Sequence, residues 1–151
     1  MRGRSAAAAA PCWLWARLGW RGLALFTTGA SWISYGISIT LQPRYGTVRG
    51  ISVLLNLMCM TAWGWLWIIA GVLSLAYGLV RPGRDLIGVG AAIGPPLLWS
   101  MAFALGALTG TSDTAWGSIA PWASHALLIL IVAYLTRPRV IVERAVTSGA
   151  D

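Results

Sequence analysis

Charged residues mark the ends of segments in this chain and leave the segments themselves bare. Uncharged, mainly apolar runs extend from Gly22 to Pro43, Gly50 to Val80, Leu86 to Ser112 and Thr114 to Thr136, or 22, 31, 27 and 23 residues. A bilayer core of roughly 30 Å is crossed by about 20 helical residues. Each run is therefore long enough to span. The pattern predicts an all-α, integral membrane four-helix bundle over 22–138, with helices near 22–42, 52–80, 86–109 and 115–136. A lead-in, 1–21, and a tail, 139–151, complete the chain.

Composition agrees. With 58% hydrophobic residues, 10% charged residues and a mean hydropathy of +0.72, the chain lies outside the range of soluble globular domains, which carry about 25% charge. The net charge of +7 does not form a nucleic-acid surface, because its arginines sit at the ends of the runs, where they set topology. Arg2, Arg4, Arg17, Arg21, Arg81, Arg84, Arg137, Arg139 and Arg144 fall on one side, and only Arg44 and Arg49 on the other. By the positive-inside rule both termini are expected in the cytoplasm, and the protein in the cytoplasmic (inner) membrane.

The opening Met-Arg-Gly-Arg and the apolar stretch Ser5 to Trp15 imitate a signal peptide, but no small-x-small cleavage site follows and Arg17 and Arg21 come directly after. We expect a cytoplasmic, partly interfacial lead-in with Trp13, Trp15 and Trp20 near headgroups. Cys12 would then lie in the cytosol and Cys59 in the membrane, too far apart for a disulfide.

Pro43, Pro82 and Pro138 follow the last apolar turns of three runs and read as helix stops. Asp85 and Asp113 precede the third and fourth helices, where a carboxylate can cap free amides. Pro95-Pro96 interrupts the third, predicting a kink and carbonyls one turn earlier without their usual donors. Gly90 with Gly94, Gly106 with Gly110, and Ala70, Ser74 and Gly78 recur at close-packing spacing, read here as packing within the bundle.

Polar groups inside the runs are the candidates for function. At 100° per residue, Thr27, Ser31, Ser34 and Ser38 fall within about 60° of one another, with Leu25, Trp32 and Ile39 opposite. Such a hydroxyl face either packs inside the bundle or lines water or a subunit seam after assembly. His125, the only His, Lys, Arg, Asp or Glu inside a run, is a candidate intramembrane polar site together with Asn56. It is expected to hold helices together through Asn56, Ser100 or a backbone carbonyl. The four acids, Asp85, Asp113, Glu143 and Asp151, do not pair with His125 at a catalytic spacing, and nucleophile elbows, phosphate loops and metal-ligand clusters are absent. The expectation is a protein that is not an enzyme and carries no cofactor or metal.

The basic start, four compact runs, the Trp-rich second run and the Arg81-Pro-Gly-Arg-Asp85 turn into a Gly- and Pro-bearing third resemble the small four-span membrane proteins of actinobacterial phages found in lysis cassettes and treated as holin-like. That resemblance covers Gly22 to Arg139 and implies a host-cell-lysis role: a homo-oligomer in the bilayer, permeabilising it so that an endolysin can act downstream without direct contact. The hydroxyl face would be the lesion lining. Two other readings stand beside it. One is a small transporter or transporter-associated subunit, with Pro95, Pro96, His125 and Asn56 around an internal site. The other is a structural or regulatory membrane protein without a pore.

Overall fold

The computed structural model describes residues 9–80, 84–112 and 115–137, with side chains from Leu18 onward. Every element among them is helical: α1 (Ala9–Leu41), α2 (Tyr45–Gly50), α3 (Ser52–Leu55), α4 (Met60–Gly78), α5 (Leu86–Leu108) and α6 (Trp116–Leu135). Three of these, α4, α5 and α6, at 19, 23 and 20 residues, are long and apolar enough to cross a membrane. The first helix has the length, but its serines, threonines and glycines keep it out of that set, so the expectation of four apolar spans is reduced to three on composition.

The second run does not form one helix over 52–80. Thirty-one residues exceed the length needed to span, and the surplus before α4 folds at one end of the bundle as α3 and a turn through Asn56 and Cys59, next to α2. There Gly50 lies against α5: a Cβ on Gly106 would stand 2.6 Å from the Gly50 carbonyl oxygen.

α1 and α4 run antiparallel along a seam with a seven-residue repeat. Gly22, Gly29 and Gly36 alternate with Leu25, Trp32 and Ile39 on α1, while Gly64, Gly71 and Gly78 alternate with Trp67 and Ser74 on α4, and all are buried. This 3-4 spacing is the seam of a left-handed coil. Glycine meets glycine across it. A Cβ added at Gly22, Gly29 or Gly36 would lie 2.6 Å from the carbonyl oxygen of Gly78, Gly71 or Gly64 respectively, so the two backbones touch and the intervening large residues are driven into the core.

The other packing pairs are α4 with α5 and α5 with α6; α1 adjoins α6 only lightly and leaves a loose seam there. α5 continues unbroken through Pro95 and Pro96. The freed carbonyl expected before them is met by a side chain: Ala92 O, deprived of the amide at Pro96, accepts the Trp32 indole N–H at 3.0 Å. The non-helical backbone inside a helix falls at Gly19 of α1 (φ 56°, ψ −177°), a conformation glycine adopts without penalty. α5 ends in a Schellman cap, with Gly110 at φ 69°, its amide on Ala107 O and the Thr111 amide on Gly106 O. Gly110 is thus a cap and not a packing residue.

Gly90 and Gly94 face outward with nothing within 4 Å of an added Cβ, contrary to their expected role in internal packing. Ala70, Ser74 and Gly78 are buried as expected, and the Ser74 hydroxyl donates to Ala70 O at 2.8 Å.

Candidate functional site

The hydroxyl face lies outside the bundle. Thr27, Ser31, Ser34 and Ser38 are all exposed, whereas Leu25, Trp32 and Ile39 opposite are 1%, 4% and 4% exposed. This overturns the inward placement and has a plain cause: glycine on α1 lets α4 approach on the other side, so the bulky residues fill the core. Thr27 donates to Leu23 O at 2.9 Å and Ser31 to Thr27 O at 2.9 Å, so both hydroxyls are satisfied by their own helix. Such groups tolerate lipid yet remain wettable.

The core is aromatic. Trp32 and Trp67 meet edge-to-face with ring centroids 4.7 Å apart, Trp67 meets Trp99 at 5.3 Å, and Tyr35 meets Trp122 at 5.0 Å. Such contacts contribute about 0.5–1.5 kcal/mol each beyond the area they bury. Trp99 donates its indole N–H to the Tyr35 hydroxyl at 3.1 Å, and Trp63 to Leu54 O at 3.1 Å, which ties α3 to α4.

His125 joins this cluster, half-buried, with its ring 4.6 Å from Trp32. Its Nε2 is buried without a hydrogen-bond partner, as is Trp67 Nε1. The expected partners are elsewhere: Ser100 donates to Ile119 O at 3.3 Å, and Asn56 is exposed in the turn after α3. The paired polar site His125 and Asn56 is therefore not assembled. Pro95 and Pro96 are buried in α5, and the carbonyl freed by Pro96, Ala92 O, is bonded by Trp32, whose ring lies beside the histidine at a tilt of 48°.

At the opposite end from Asn56, three elements are clamped by a buried ion pair. Arg21, 6% exposed, and Asp85, 1% exposed, form a two-pronged salt bridge: Nε donates to Oδ2, and Nη2 donates to Oδ1 at 2.8 Å. Arg21 Nη1 also donates to Ala133 O at 2.6 Å, so α1, the start of α5 and the end of α6 converge on one guanidinium. The sequence alone suggests other roles for both residues, a loop charge for Arg21 and a helix cap for Asp85. Asp85 stands at the N-cap position of α5 but makes no side-chain cap bond, and Arg21 is buried and not simply a loop charge. The two are 64 positions apart, and no local signal joins them. Asp113, the other expected cap, lies outside the described residues, as do Arg81, Pro82, Gly83 and Pro138 and the side chains of Cys12, Trp13, Trp15 and Arg17. Cys59 is free and exposed just before α4, at the bundle end and not within it.

At the Asn56 end, the loose seam between α1 and α6 opens into a cavity of about 240 Å³ whose lining includes Tyr35, Ser38, Arg44, Thr47, Ser118 and Trp122. A larger groove of about 540 Å³ between α4 and α5, along Leu73, Gly94, Pro95 and Met101, is lined by apolar residues throughout. Among the described residues no three His, Cys, Asp or Glu side chains come together as metal ligands. No protein-family model, curated protein or solved structure matches this chain.

Proposed function

We propose that the chain is a multi-pass protein of the cytoplasmic membrane, with all four long helices spanning and both termini inside, and that it acts as a holin-like lysis protein. Copies assemble laterally and open lesions through which a muralytic enzyme reaches the wall. The observation that carries this reading is the outward hydroxyl face. Thr27, Ser31, Ser34 and Ser38 form a stripe on the bundle exterior, stable in lipid while Thr27 and Ser31 bond their own backbone and ready to line water once copies meet. The glycine seam supports α1 as a span despite its polarity, because α1 crosses paired along its length with the apolar α4. The arginine distribution of nine against two supports the orientation.

The transporter reading loses one member of its site, since Asn56 lies in a terminal turn away from His125.

Induced expression in a bacterial host should halt growth abruptly and release a co-expressed endolysin. Ser31→Leu with Ser34→Leu should delay or abolish release while membrane insertion is retained, because leucine removes the wettable groups and strengthens lipid partitioning. Expression that leaves membrane potential and viability untouched would refute the lysis role.

A further inference from the structure

The cavity at the Arg44 end has the chemistry of an oxyanion site. We propose that it binds a phosphate group, with Arg44 as the charge partner and the hydroxyls of Ser38, Ser118 and one member of the Tyr35–Thr47 pair as donors.

Arg44 makes no ion pair or hydrogen bond with any described residue, and neither do the side-chain hydroxyls of Ser38 and Ser118. The Tyr35 hydroxyl accepts from Trp99 Nε1 and is also paired with the Thr47 hydroxyl, so one of these two hydroxyls keeps a proton to donate. A guanidinium fork and several hydroxyls converging on one small space suit a tetrahedral anion with three acceptor oxygens. Among the described residues, Arg44 is the only charged side chain in the lining, which sets the sign of the ligand. The volume, about 240 Å³, is below the roughly 300–1,000 Å³ of pockets for drug-sized ligands. It matches a headgroup or a small phosphomonoester. Ile39, Phe103 and Trp122 give it apolar walls for the carbon attached to the phosphate.

Two sources share this chemistry. If α4, α5 and α6 cross the membrane, Arg44, three residues beyond the end of α1, sits at headgroup depth, within reach of lipid phosphates. That source rests on the membrane reading above, whereas the phosphate site itself does not.

The test is calorimetric titration of the full chain, purified in detergent and stripped of lipid. The probes are monomeric dihexanoylphosphatidylglycerol and, separately, glycerol 3-phosphate. Saturable binding of one equivalent is expected, weakened at least about tenfold by Arg44→Gln and unchanged by Arg137→Gln at the other end. Tight binding of the lipid alone assigns a headgroup, and equal binding of both assigns a soluble phosphomonoester. Asp113→Asn should leave binding intact or tighten it. Failure of the folded protein to bind either probe, indifference to Arg44→Gln, equal loss in Arg137→Gln, or loss on Asp113→Asn would overturn the site.

Discussion

Arg21 shows how a single buried charge can bind distant parts of the chain. Removing a buried ion from an excellent geometry is expensive because its partner loses a compensating charge, whereas replacing both partners by apolar groups is often tolerated. Arg21→Leu should therefore lower unfolding stability in detergent by about 3–5 kcal/mol, and Arg21→Leu with Asp85→Leu should recover most of that loss. Double-mutant denaturation is the measurement, and additive losses would show that the clamp is not a unit. Trp32 works similarly with a hydrogen bond. Trp32→Phe keeps an aromatic ring but leaves Ala92 O orphaned, at an expected cost of about 1–3 kcal/mol.

At the scale of elements, glycine has two opposite meanings in this protein. In the α1 and α4 seam its missing side chain is the contact itself, so Gly29→Ala should force the helices apart and destabilise by about 1–3 kcal/mol. On the outer face of α5 a glycine touches nothing. Gly90→Ala should be neutral or stabilise the monomer by up to about 1 kcal/mol through helix propensity. Comparative unfolding of the two variants distinguishes them, and equal effects would contradict the seam. The small-residue spacing noticed in the sequence, four residues, picks out Gly90 and Gly94. The spacing that organises the fold is seven, and counting Gly22, Gly29, Gly36 and Gly64, Gly71, Gly78 would have disclosed it.

For the whole molecule, the arrangement makes thiol chemistry a topology probe. Cys59 is exposed in the turn before α4, at the end that carries Arg44 and opposite the Arg21 clamp. If that end is external, a membrane-impermeant maleimide should label Cys59 in intact cells, Cys59→Ser should abolish the labelling, and Cys12 should react only after lysis. Labelling of Cys12 alone in intact cells would invert the orientation.

The run lengths and charges of the sequence determine that the described residues are helical, where α5 and α6 lie, and that apolar surface dominates the chain, because those properties depend on nearest neighbours and on composition. The amphipathic division of α1 was equally legible, since 100° per residue separates its serines from Leu25, Trp32 and Ile39. Only the tertiary structure decided which of those faces turns inward. In lipid, hydrophobicity does not distinguish inside from outside; close packing does, and the glycines permitting it lie on two helices separated in sequence. The same holds for Arg21 with Asp85, Trp32 with Ala92 O, and the Arg44 cavity: each joins residues whose proximity exists only after α1, α4, α5 and α6 have packed.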